Sequence, residues 1–459
     1  MNKLKILLVK PPQKTEEIQP PLGLGYLAST IKNFTDVQIL DCIKENYSIN
    51  DFKKFISKNK FDIIGFQCYT VDLNTVKELI KITKTIMPHS ITLVGGPHPS
   101  LDPLNTLDYL SVNYGFCGEA EIGFPLLIKN LKENKKNFSE IPGLIYKEKD
   151  KIRINSNKLV ENLDDYEIGW NFFNIDSYPL APHGAFCKQY PTAPLIVTRG
   201  CPFQCTYCGA NLISGRKIRY HSVDFIIKQI EFLNKKHGIK EIHIEDDNFT
   251  MKKQFVIEFC QKLIKKNLGI TFTFPNGIRL DTLDSPIIRL MKKAGLYSVS
   301  VGIESGSDKI LKLMQKNLTT SIIREKIKLL RKEEIEIIGF FIVGYPGETK
   351  EDILKTIKFS KSLGLKRATF SAFKPFPGTI IYDELVKKRE IKKLKWKNFS
   401  LDKIAWSPKG ISTNELKKLR RKAFLEFYLR PKIILKMLSE IKNFQNFKFI
   451  IVRIFRWLT

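Results

Sequence analysis

Short apolar runs alternate with amphipathic stretches along the first 140 residues. LKILLVK (4–10), VQILD (37–41), FDIIGFQ (61–67), ITLVGG (91–96) and a weaker segment near 113–117 carry the strand signal. PPLGLGYLASTIKNF leads through Pro and Gly punctuation into a helix, and 71–87 has helical spacing. Buried strands separated by helices predict a parallel sheet wound on both faces, with ligands at the C-terminal strand ends. IPGLIYKEKDKIRIN predicts a hairpin, and 162–190, rich in Asp, Pro and aromatic residues, predicts a linker. From 193 the alternation restarts with PLIVTR (194–199), EIHIED (241–246), ITFTFP (270–275), YSVSVG (297–302), IEIIGFFIV (335–343) and RATFSAF (367–373). A helical pattern follows nearly every one. Six such repeats fall short of the eight in a closed barrel and predict a partial, open (β/α)6 barrel of TIM type.

The expected organisation is α/β. A Rossmann-like (flavodoxin-like) domain covers 1–140, a hairpin and linker 141–190, the barrel 191–385 and a basic helical extension 386–459.

Composition changes this picture little. The 43% apolar and 27% charged fractions are globular values, which sets disorder aside. The net charge of +29 attracts polyanions, but the lysines are spread along the whole chain, as on solvated helix faces. No apolar run is long enough to span a bilayer, and MNKLKILLVK does not read as a cleavable signal, so a cytoplasmic location is expected.

The cysteines change it more. Of the eight, Cys201, Cys205 and Cys208 fall within TRGCPFQCTYCGA, a single loop after the first barrel strand. Three thiols in eight residues of an intracellular enzyme point to metal rather than to disulfides. A structural zinc site usually closes with four ligands, and the next His and Cys are the distant His221 and Cys260. Three thiolates leave one iron of a 4Fe–4S cluster open to a chelating cofactor.

The spacing of these cysteines, with Tyr207 before the last, resembles the radical S-adenosylmethionine (SAM) superfamily. The resemblance extends through IEDDNFT (244–250), NGIRLD (276–281), VGIESGS (301–307), FIVGYPGET (341–349) and KPFPGT (374–379). It implies that the open iron binds the methionine part of SAM, which one electron cleaves to a 5′-deoxyadenosyl radical. It further implies that Asp246 and Asp247 meet SAM's amino group, that Arg279 pairs with its carboxylate, and that Glu304, beside Ser305, bonds the ribose. Tyr207, Gly209 and Gly344, the last followed by Pro346 and Gly347, complete the implied SAM site. Helix capping near Asn248 and Thr250, an Arg279 pair with Asp281 or Asp284, and tight turns at the glycines are the structural alternatives.

Further likenesses lie in PPLGLGYLAS (20–29), ILD (39–41), VGGPHPS (94–100) and CGEAEIGF (117–124). With the domain order, they resemble radical SAM proteins with a cobalamin (B12)-binding domain. That class includes anaerobic Mg-protoporphyrin IX monomethyl ester cyclase-like enzymes and class B radical SAM methyltransferases. Gly23, Gly95 and Gly96 would then lie against cobalamin. No Asp-x-His-x-x-Gly motif occurs, and His89 and His98 lack that context, so base-off cobalamin without a protein histidine is expected. Cys42, Cys68 and Cys117, each near a strand end, offer a different reading. They resemble the second-cluster ligands of tRNA methylthiotransferases, although 386–459 reads as helices and not as an RNA-binding barrel. Buried structural thiols are the commoner explanation.

The expected activity is methyl transfer to an unactivated carbon or phosphorus centre of a small molecule. Radical oxidation or ring closure is the alternative, and a non-catalytic cluster protein is set aside. The expected partners are a small-molecule substrate and a reductant such as flavodoxin or ferredoxin, without nucleic acid. The substrate pocket is expected between the domains, near Phe373 and Phe376, which are otherwise core. KIILKMLSEIKNFQNFKFIIVRIFRWLT (432–459) reads either as a weak contact with anionic membrane or as helices packed on the barrel.

Overall fold

The computed structural model describes residues 3–13, 15, 18–180, 187–391 and 394–441. Its first sheet contains β1 (Leu4–Lys10), β2 (Thr35–Asp41), β3 (Ile63–Gln67), β4 (Ile91–Gly95), β5 (Tyr114–Phe116), β6 (Leu144–Glu148) and β7 (Lys151–Ile154). The spatial order is β2-β1-β3-β4-β5-β6-β7, parallel through β5. Ile6 to Val9 are buried on both faces, which is why β1 is a continuous apolar run. The chain order reverses between β1 and β3, and a doubly wound sheet opens its ligand crevice at such a point. The hairpin joins this sheet as its antiparallel edge, with Tyr114 opposite Tyr146.

The second unit contains β8 (Thr192–Leu195), β9 (Thr198–Arg199), β10 (Arg219–Tyr220), β11 (Glu241–Ile244), β12 (Thr271–Ile278), β13 (Leu296–Glu304), β14 (Glu336–Val343) and β15 (Arg367–Ala372). Six strands run parallel in the order β8-β11-β12-β13-β14-β15, the open barrel the repeats predict. Residues alternate between buried and half-buried along β14 and β15, so one face packs on helices and the other stays partly open.

Two expectations are corrected. The single strand over 194–199 is divided: β8 ends at Leu195, and β9 leaves the barrel to pair antiparallel with β10. The cause is local, because the Val197 N–H donates to the Asp246 carboxylate at 2.7 Å instead of to a strand. The segment read as a linker is also not loose. Ile168, Trp170, Phe173 and Ile175 are buried in the barrel's apolar core, and the Trp170 indole donates to Gln229 at 2.9 Å. Trp170 and Ile175 are core residues carried on short 3-10 turns.

The helix Thr413–Tyr428 packs Leu416, Leu419, Ala423 and Phe427 into the same core. Tyr428 accepts from the Ala368 N–H at 3.2 Å and donates to its carbonyl at 2.9 Å, so it covers the exposed edge of β15. Of the stretch 432–459, for which packing on the barrel is one expectation, Ile433 in the helix Pro431–Ser439 joins the same core. The membrane-contact reading rests largely on 442–459, outside the described residues. Among the described residues no helix is long and apolar enough to cross a membrane.

Candidate functional site

The cysteine loop lies between β9 and β10. Gly200 enters it at φ +99°, where a Cβ would meet the Lys217 carbonyl at 2.3 Å, so glycine is required there. The Cys201 N–H donates to Gly215 at 3.1 Å and the Cys208 N–H to Cys205 at 3.0 Å. Thr206 anchors the turn through the Tyr345 hydroxyl at 2.6 Å. The Asn248 amide donates to Cys201 Sγ at 3.0 Å, a bond suited to a thiolate. Partial burial raises the Cys201 thiol, so a bound cation is what would hold a thiolate here.

Other residues converge on this loop. Lys316 donates to Glu304 at 2.7 Å and lies 3.5 Å from the Tyr207 hydroxyl. Both members of that ion pair are buried. Glu304 holds φ +63°, a conformation that non-glycine residues rarely keep without a demand from the site. Asp246 is buried, which pushes its carboxyl up to about 7. Its Oδ2 has no hydrogen-bond partner, the state in which a carboxylate would receive an ammonium. Asp247 is exposed beside it, close enough to raise the Cys201 and Cys208 thiols.

The remaining expected SAM residues have structural partners. Arg279 is held by Asp281 at 2.9 and 2.8 Å, donates to the Lys316 carbonyl at 3.0 Å, and stacks 3.4 Å from the Phe203 ring centroid. The Ser305 hydroxyl is fully buried against Thr356 and the Ser307 N–H. Gly344, at φ +78°, makes room for Leu416, and Gly209 makes room for Leu101. Sequence reasoning missed Lys316 as a site residue. It lies twelve residues past Glu304 and beyond a helix, so no local periodicity links the two. Asn248 was legible only as a helix cap.

An ionic clasp joins the domains beside the loop. Arg219 donates to both Glu119 oxygens at 2.7 Å, and Arg199 donates to Glu121 at 2.6 Å. Arg199 also lies over the Tyr26 ring, 4.6 Å from its centroid. The Tyr26 hydroxyl is 3.2 Å from His221 Nε2, and His221 Nδ1 is 2.8 Å from Asp164. Burial lowers His221 to about 4, so its neutral ring donates to Asp164 and accepts from Tyr26. Both glutamates come from the GEAE segment after β5, and both arginines from the ribbon that frames the cysteines.

At the C-terminal edge of the first sheet, the Cβ positions of Gly23 and Gly95 have no atom within 4 Å. Gly96 sits at φ +106°, with its Cβ position 3.2 Å from the Cys68 carbonyl. This backbone is open to a close-lying flat ligand, as cobalamin requires. His98 is buried against Thr70, with its ring edge-on to Trp396, and burial lowers it to about 4. His89 is exposed and precedes β4, at the other end of the sheet from Gly95.

The convergence imagined for Cys42, Cys68 and Cys117 is absent. They follow β2, β3 and β5, which span four strand spacings, about 19 Å at ~4.8 Å each. Cys68 and Cys117 instead donate to the Tyr69 and Gly143 carbonyls. Changing all three to alanine should leave roughly four irons per chain by elemental analysis, one cluster's worth. Loss of half the iron would restore the second-cluster reading.

Residues 195–360 match the model of the radical SAM superfamily and residues 13–128 that of the B12 binding domain. An uncharacterized methyltransferase of Pyrococcus horikoshii is 32% identical over 100% of this chain and 98% of its own. The cytidylyl-2-hydroxyethylphosphonate methyltransferase of Streptomyces wedmorensis is 26% identical over 80% of this chain and 78% of its own. The radical SAM methyltransferase TsrM of Kitasatospora setae, solved with cobalamin and a [4Fe-4S] cluster, superposes with a TM-score of 0.70. It has 16% identity and covers 93% of this chain and 82% of its own.

Proposed function

The chain belongs to the radical SAM enzymes that carry a B12-binding domain, and from that premise we propose that it methylates an unactivated carbon or phosphorus centre of a small molecule. The relatives that act as methyltransferases support this reading. The observation that carries it is the meeting, across one ionic clasp, of the thiol loop with a glycine-lined sheet edge.

When bound, the cluster supplies the electron that cleaves SAM, and cobalamin supplies a methyl carrier. This chain's residues do the rest. Cys201, Cys205 and Cys208 hold the iron, and Asn248 steadies the first sulfur. Asp246, with its unpartnered oxygen, receives an ammonium, with Asp247 beside it. Lys316 and Glu304 form a buried pair that offers a cation to a carboxylate and an acceptor to hydroxyls, with Tyr207 at its side. Arg279 supports this pair through the Lys316 backbone, and Ser305, Gly209 and Gly344 shape the surrounding packing. Gly23 and Gly95 leave the sheet edge bare for cobalamin, and Gly96 lets the next turn pack against Cys68 beside it. The half-open face of β14 and β15 is where the substrate would lie. A small electron-transfer protein such as flavodoxin or ferredoxin would supply the reducing equivalent.

Anaerobic reconstitution with iron, sulfide and cobalamin, followed by assay for 5′-deoxyadenosine and for methyl transfer from SAM, tests this directly. Retained cobalamin should be base-off, as the resemblance implies, and no histidine of this chain would replace the base, because His98 is already engaged and His89 lies at the far end of the sheet. Electron paramagnetic resonance of the Co(II) form should show no nitrogen superhyperfine splitting. Such splitting, or a folded protein that retains no cobalamin, would count against this assignment.

A further inference from the structure

Toward the N-terminal mouth of the barrel, away from the cysteine loop, three metal-ligating atoms meet. Ile242 and Ile244 of β11 go to the apolar core, so the alternate residues Glu241 and His243 project from the opposite face. Cys187 stands just ahead of β8, the strand that pairs with β11 through Pro194 opposite His243. His243 Nε2 is 3.0 Å from Glu241 Oε1 and 3.7 Å from Cys187 Sγ. All three ligand atoms lie within 4.8 Å of one another. Glu241 is 0% exposed and His243 3%, so this is not a surface acidic cluster.

We propose that Cys187, Glu241 and His243 bind a zinc ion, with water in the fourth position. A tetrahedral zinc with a sulfur at ~2.3 Å and nitrogen or oxygen at ~2.0–2.1 Å separates S from N by about 3.5 Å and N from O by about 3.3 Å. The spacings of 3.7 and 3.0 Å match those edges within a few tenths of an ångström. One thiolate, one imidazole and one carboxylate are a borderline donor set that suits zinc better than magnesium or calcium.

The surrounding shell orients the carboxylate as metal ligands require. Glu241 Oε2 accepts from the Lys188 N–H at 3.0 Å, the Gln189 N–H at 3.0 Å and the Thr271 hydroxyl at 2.9 Å. The Tyr297 hydroxyl donates to Oε1 at 2.8 Å. The ion would take the place of the proton shared by His243 Nε2 and Glu241 Oε1, and of the Cys187 thiol proton. Both protons pass to solvent. No redox step is involved. The site ties the segment ahead of the barrel to β11, and the mouth of a barrel opposite its active site is where stabilising contacts belong.

The test uses the full-length protein reconstituted anaerobically, so that iron occupies the cluster cysteines, and then supplied with zinc and desalted. Elemental analysis should find one zinc ion per chain, and zinc-edge X-ray absorption should find one sulfur among nitrogen and oxygen neighbours. Cys187→Ser and His243→Gln should each lower zinc occupancy at least tenfold and abolish any rise in melting temperature on zinc addition. Should either variant fail to fold, the absorption spectrum of the unaltered protein decides alone. Zinc below a tenth of an ion per chain, a zinc shell with no sulfur or with three or more, or full zinc retention in a folded Cys187→Ser variant would overturn the site.

Discussion

Cys205→Ala should bring 5′-deoxyadenosine formation to background, and Cys201→Ala and Cys208→Ala should do the same. In the proposed site each thiolate would fill one corner of a cluster whose fourth iron must stay open for SAM, so no pair of sulfurs would substitute for three. The loss should be chemical and not structural. The three cysteines are half-buried or exposed, and the loop is held by its backbone bonds to Gly215 and by Thr206 on Tyr345. Circular dichroism should therefore be unchanged while iron content and SAM cleavage fall together. Retention of more than about a tenth of the activity by any one variant would remove the cluster as the source of the reaction.

The second large effect is on stability. Arg219→Met should cost about 3–5 kcal/mol, because it leaves the Glu119 carboxylate buried without its bidentate partner. The side chains are only 4% and 6% exposed, so water cannot replace the guanidinium. The Val160 N–H at 2.9 Å and Arg199 at 3.6 Å remain near Glu119, which keeps the cost finite. Against a typical reserve of 5–15 kcal/mol this is a large fraction. The double variant Arg219→Met/Glu119→Leu should recover most of it, since the burial cost of both charges is removed together. Urea denaturation checks both values. A single-variant loss below 1 kcal/mol would mean that the clasp contributes specificity and little stability. Because β10 carries Arg219 and frames the cysteine loop, the destabilised protein should also lose iron faster.

The sites differ in how far they could be read from sequence, and the reason is separation along the chain. The three cysteines lie on one loop, so their spacing alone announces them. Arg219 and Glu119 are 100 residues apart, and Lys316 and Tyr207 are 109 apart. No local pattern records such pairs, which exist only once the two sheets are folded. The same holds for Cys187 and His243. Arg279, by contrast, was legible both as a charged residue at a strand end and as a partner of Asp281 or Asp284, and the fold shows it engaged by Asp281.

The sequence by itself determined the alternation of strand and helix, the parallel sheet, the open six-repeat barrel and the three-cysteine loop. Each is written in hydrophobic period or in residues a few positions apart, where chain geometry alone sets the distances. Only the tertiary structure decided that β8 and β9 part at Val197, because a carboxylate 49 residues away takes the ladder hydrogen bond. It alone decided that Ile168, Trp170, Phe173 and Ile175, in the segment read as a linker, are core. Apolar side chains between turns look the same in sequence whether they are covered or bare, and burial depends on what packs above them. It alone separated Cys42, Cys68 and Cys117, because the strand order across a sheet is chosen by crossovers and not by the order of residues along the chain.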